Sequence, residues 1–115
     1  MPRLRVGDAI RASDGGKVEP RPGVVLKIDV IDGDDWAFVA FGSRHGPKPP
    51  YPKPDPVVVT RGDIGFLELR LDAKTYFKCT HGGTIMADDE DDDVIVYGPC
   101  PDSLFVALRT LHGFK

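Results

Sequence analysis

The dipeptide Asp32-Gly33 limits what this chain can become more than any other feature, because it separates two apolar runs that a hairpin brings together. Ahead of it, Val24 to Ile31 is rich in β-branched residues and short for a helix, so it reads as a buried strand. Behind it, Trp36-Ala37-Phe38-Val39-Ala40-Phe41 reads as the return strand. Asp-Gly suits the positive-φ positions of a tight turn between paired strands. An antiparallel pair is therefore the first element that the sequence predicts.

The approach to that pair is Glu19-Pro20-Arg21-Pro22-Gly23. Each proline fixes φ and removes a backbone donor, so the two of them predict a stiffened loop that holds Arg21 extended. Gly23 then lets the backbone turn or come close to a neighbour. Taken alone, Arg21 reads as an exposed loop arginine. Its place before a core strand also suits it to grip a phosphate.

Around this centre the chain reads as short strands and turns. Leu4 to Ala12 predicts a first strand around Gly7-Asp8, and Ser13 to Lys17 a turn. Gly42 to Asp55 carries five prolines, which forbid a regular central strand and predict a semi-rigid surface loop. That loop gathers Arg44, His45, Lys48 and Lys53 around Tyr51. A basic segment with an aromatic can hold phosphates and stack a base. It is equally open to being a proline-rich recognition segment or a solvated loop.

Pro56 to Thr60 predicts a fourth strand, and the following Arg61-Gly62-Asp63 reads as a coincidence rather than an adhesion tripeptide. Ile64 to Leu71 is ambiguous between a short helix and a strand. Lys74 to Cys79 predicts a strand, with Gly82-Gly83 as a break before Thr84-Ile85-Met86. The six acids Asp88 to Asp93 read as a solvated loop; they lack the internal glycine and ligand spacing of a calcium loop. Docking of a basic partner there stays open. Val94 to Tyr97 is another apolar run. Asp102 or Ser103 then offers an N-cap for a terminal helix through His112, with Gly113 as its stop. Leu104, Leu108 and Leu111 share one face of it.

The 115 residues suit a single domain spanning 1–115, and the 41% hydrophobic fraction supports one core. Net charge is −3, so any polyanion site must be a local patch rather than the whole surface. The start lacks the apolar core of a signal peptide, and no run approaches the length of a membrane helix. Cys79 and Cys100 are far apart, and the three histidines lack ligand spacing, which argues against zinc. A cytoplasmic protein with reduced cysteines, no metal, no cofactor and no membrane association is expected.

Val6-Gly7-Asp8 at a first strand, Arg21-Pro22 leading into Val24-Val25-Leu26, and Val39-Ala40-Phe41-Gly42-Ser43 closing a later strand form an ordered pattern. Tyr51-Pro52, Thr75-Tyr76-Phe77 and Thr84-Ile85-Met86 extend it. Together they resemble the PemK/MazF family of toxins from toxin–antitoxin systems. The resemblance implies a mainly β chain with a short terminal helix, folded as a compact, strongly bent SH3-like β-barrel of the PemK/MazF/CcdB type. It implies a homodimer held in check by a protein antitoxin. The implied activity is metal-independent cleavage of single-stranded RNA through attack by the neighbouring 2′-hydroxyl. Arg21 would bind the scissile phosphate, and Ser43, where threonine is more usual, would orient a phosphate oxygen. From local composition Arg44, His45, Lys48 and Tyr51 are added as RNA-gripping residues, His45 being the nearby side-chain type suited to proton transfer. A different class of function, a non-catalytic β-barrel interaction module of phage or mobile-element origin, also fits.

Overall fold

The computed structural model describes residues 4–13, 19–46, 54–87 and 94–114. Strand β1 (Asp8–Ala12), β2 (Arg21–Ile31), β3 (Asp34–Ser43), β4 (Val57–Val59), β5 (Thr75–Met86) and β6 (Ile95–Pro99) precede one helix, α1 (Asp102–Leu111). The strands form a single antiparallel sheet in the order β4-β5-β3-β2-β1-β6, curled into a half-barrel.

The hairpin at its centre is the one the sequence predicts. Ile31 pairs with Asp34, and the two turn residues Asp32 and Gly33 take φ of 53° and 85°. Both angles are positive, as a two-residue turn that matches strand twist requires. Along β2 the consecutive apolar residues divide between the two faces of the sheet. Val24 and Leu26 join one core cluster with Ala9, Ala40 and Phe77, whereas Val25 joins a second with Ile10, Val39 and Phe41. Burial on both faces explains why this run is unbroken rather than alternating.

Helix α1 covers the first cluster with Leu104, Leu108 and Leu111, all buried. Each such side chain contributes about 1.5–3 kcal/mol on leaving water. Arg109 ties the helix to the sheet by donating to the Leu26 carbonyl at 3.3 Å. The predicted stop is present: Gly113 has φ of 78° and its N–H donates to the Thr110 carbonyl.

Four local expectations give way. Arg21 and Pro22 are not in a loop; they open β2, with Arg21 opposite Ala12 and Pro22 opposite Arg11. Proline is tolerated because it is the second residue of the strand, and pairing with β3 begins only at Gly23. Gly82-Gly83 does not break the later strand, since β5 runs through it. A Cβ on Gly82 would lie 2.5 Å from the Phe38 ring, so the glycine makes room for a side chain across the ladder. Residues 61–70, ambiguous in period, form successive turns. The helix N-cap is Pro101, without a side-chain cap, and Asp102 is the first helical residue. No described helix is long and apolar enough to cross a membrane.

Candidate functional site

The register that pairs β1 with β2 and β2 with β3 gathers strand ends at one end of the sheet. There β1 finishes at Ala12, β2 begins at Arg21, β3 finishes at Ser43 and β5 begins at Thr75. Gly23 opposes Phe41, so Arg21 and Ser43 lie two residues beyond the last β2–β3 pair, one on each strand. Ser43 pairs in turn with Tyr76. A concavity of about 420 Å³ opens at this end, and Arg21, Ser43, Arg44 and His45 all line it.

Gly42 makes the approach of β3 to β5 possible at this point. A Cβ there would lie 2.5 Å from the Thr75 methyl and 3.0 Å from the Phe77 ring. Both of those side chains are buried. Ser43 is half-buried, and its Oγ accepts the backbone N–H of His45 at 3.2 Å. The hydroxyl proton is left to donate elsewhere, which is the capability a phosphate oxygen needs.

Two arginines that sequence reasoning did not single out complete the lining. Arg11 comes from β1 between the fully buried Ile10 and Ala12, and Arg70 comes from the turn segment before β5. Four arginines, Arg11, Arg21, Arg44 and Arg70, line the concavity together with two acids, Glu19 and Asp72. Arg44 spends its charge locally, in an exposed ion pair with Asp72. Among the described residues, no carboxylate lies within ion-pair distance of Arg21 or Arg11. In a chain of net charge −3 this is a local cationic patch. Guanidinium is the side chain best matched to the oxygens of a phosphate.

His81 on β5 also feels this patch. Its imidazole is held below the usual histidine range by burial first, then by the charges of Lys78 and Arg21. Its Nδ1 is buried and makes no hydrogen bond. His81 does not line the concavity, so the structure gives it no direct contact with a group bound there. The expected RNA-gripping residues Lys48 and Tyr51, like the acidic run Asp88 to Asp93, lie outside the described residues. No cluster of three potential metal ligands occurs among the described residues.

By the register Arg21 and Ser43 lie on the same face of the sheet, so the arrangement can offer an anionic group a guanidinium from Arg21 and a hydroxyl hydrogen bond from Ser43. Compared with protein-family models, with curated proteins and with solved structures, the chain matches none.

Proposed function

We propose that this chain is a PemK/MazF-like endoribonuclease toxin that cleaves single-stranded RNA at the Arg21–Ser43 concavity. One observation carries the reading: Arg21 and Ser43, distant in sequence, line one cationic concavity together with Arg11, Arg44, His45 and Arg70. An SH3-like barrel of the PemK/MazF type is the finer form of the curled antiparallel sheet that this reading adopts. Cytoplasmic action, a homodimer and restraint by a protein antitoxin belong to the same proposal.

The chemistry follows from the residue types. Attack of a 2′-hydroxyl on the adjacent phosphorus forms a pentacoordinate phosphorane, and departure of the 5′-oxygen leaves a 2′,3′-cyclic phosphate. Negative charge gathers on the non-bridging oxygens as the phosphorane forms. Arg21 stabilises that charge, and a fixed donor does so without the reorganisation that water would need. Ser43 donates to one of those oxygens while the His45 N–H fixes its own oxygen. His45, on the rim, is the side chain suited to move a proton to or from the reacting oxygens.

The test is cleavage of a labelled mixed-sequence RNA by purified protein in excess chelator, beside Arg21→Ala. Cleavage by the wild type that leaves cyclic phosphate ends, with at least a hundred-fold loss in Arg21→Ala, is the expected result; removing one such donor costs roughly 10²–10³ in rate elsewhere. Equal cleavage by both proteins would remove Arg21 from the mechanism. No cleavage by wild-type protein across varied RNAs would favour a binding module.

A further inference from the structure

We propose that a second concavity, formed around Tyr97 beside the Arg21–Ser43 site, is a stacking subsite for the nucleobase that flanks the bound phosphate. The inference rests on the reading of that site as an RNA site and deepens it. The second concavity measures about 610 Å³ and is lined by Leu67, Glu68, Arg70, Leu71, Tyr97 and Pro99. Arg70 and Leu71 line the first concavity as well, so the two are contiguous. A chain held by its phosphate at Arg21 therefore has an adjoining place for a base.

Two departures from regular backbone meet at this seam. Tyr97 is the extra residue of a β-bulge: Gly98 lies opposite Ala9 and Val96 opposite Ile10, which leaves Tyr97 unpaired between them. Bulges re-aim side chains, and Gly98, with φ of 119°, supplies the conformation this one needs. Arg70 has φ of 55°, in the left-handed region that a non-glycine residue rarely occupies. Its N–H donates to the Leu67 carbonyl at 3.0 Å, closing the turn that presents it. The Arg70 guanidinium then lies over the Tyr97 ring, its carbon 5.7 Å from the centroid. Tyr97 packs on the core and backs the exposed Arg70 guanidinium, whose outer plane is left open. Bases in single-stranded RNA sites stack on guanidinium planes as well as on aromatic rings.

Charge says which part of a nucleotide goes where. The phosphate side carries Arg11 and Arg21, whereas Glu68 stands on the rim of the Tyr97 concavity. A carboxylate repels phosphate and accepts a hydrogen bond from an exocyclic amine. Apart from Arg70 and the Tyr97 hydroxyl the rest of the lining is apolar, with Leu67 79% exposed to solvent. This surface suits a flat, amine-bearing base: adenine, cytosine or guanine.

The experiment measures binding of a fluorescent, non-cleavable 2′-O-methyl RNA hexamer across a range of salt concentrations. The proteins are the wild type, Arg21→Ala, Tyr97→Leu and Tyr97→Phe. Stacking of one base predicts that Tyr97→Leu binds roughly 5- to 150-fold more weakly with the salt dependence unchanged, while Tyr97→Phe binds as the wild type does. Arg21→Ala weakens binding and lowers the salt slope by about one ion. If Tyr97→Leu binds like the wild type while Arg21→Ala is weakened, the stacking subsite is refuted and the RNA site stands. Equal losses in Tyr97→Leu and Tyr97→Phe would also refute stacking, since the ring is kept in the latter. Absence of wild-type binding would overturn the RNA site itself.

Discussion

Replacing Gly42 with alanine tests the packing that builds the candidate site. The added Cβ would sit 2.5 Å from Thr75 Cγ2, and 3.0 and 3.1 Å from two carbons of the Phe77 ring. Neither neighbour can step aside cheaply. Phe77 is fully buried, and Thr75, only 3% exposed, holds its Oγ1 on the Ala73 carbonyl at 2.9 Å. Overpacking a filled core costs about 1–3 kcal/mol. With an unfolding entropy near 2 cal/mol/K per residue, a 115-residue chain would lose about 4 °C in Tm for each kcal/mol. Thermal unfolding followed by circular dichroism should thus place Gly42→Ala about 4–12 °C below the wild type. The cause can be isolated, because Thr75→Ser removes the offending methyl and keeps the hydroxyl. Thr75→Ser alone should cost about 1 kcal/mol for the buried methyl. The pair together should be less destabilised than the sum of the two singles by at least about 0.5 kcal/mol. A Gly42→Ala protein that melts within a degree of the wild type, or singles that simply add, would refute the claim that β3 and β5 meet here through glycine.

Acid should weaken the fold below about pH 6.5. His81 and His112 both have imidazoles held below the usual 6.5, burial being the largest cause in each. As pH falls from 6.5 the unfolded chain takes up protons before the folded one, so stability is intact above that value and declines beneath it. Urea midpoints between pH 7.5 and 5 check this, and replacing both histidines by glutamine should flatten the decline. For Cys100, burial and then the nearby carboxylates Glu68 and Asp102 push the thiol from 9.0 up to about 12. It should resist iodoacetamide at pH 8.5 in the folded protein and react at an ordinary rate in urea, a difference that mass spectrometry reads directly.

What could be read in advance follows from how local each determinant is. The β2–β3 hairpin was legible because Asp32-Gly33 states its turn chemistry within two residues. The face of α1 was legible in the spacing of Leu104, Leu108 and Leu111. The continuity of β5 was not, because a glycine pair is the same signal whether it interrupts a strand or admits the Phe38 ring from the neighbouring one. Asp102 and Ser103 look like caps in sequence, yet the chain turns into the helix one residue earlier, at Pro101. In the candidate site, Arg21 and Ser43 stood out through the order of short motifs. Arg11 and Arg70 did not: one is a lone cation in a strand of weak pattern, and the other ends a segment whose period is ambiguous. Only the β1–β2 register and the turn before β5 bring them to the same concavity.

The sheet order also bears on when this protein can exist as such. Strand β1, which precedes the other described strands in the chain, is flanked by β2 on one side and on the other by β6, which follows them. During synthesis the hairpin-like partner β2 arrives early, but one edge of β1 has no neighbour until Ile95 to Pro99 has been translated. Pairings of such long sequence separation form late, after their loop entropy has been overcome. Nascent chains ending before Ile95 are accordingly expected to stay protease-sensitive around β1, and chains including α1 to become resistant. The bulge that presents Tyr97 lies in β6, so a partly made chain would carry Arg11 and Arg21 without the surface beside them. Closure of the sheet by β6 and formation of the Tyr97 surface would then be one event.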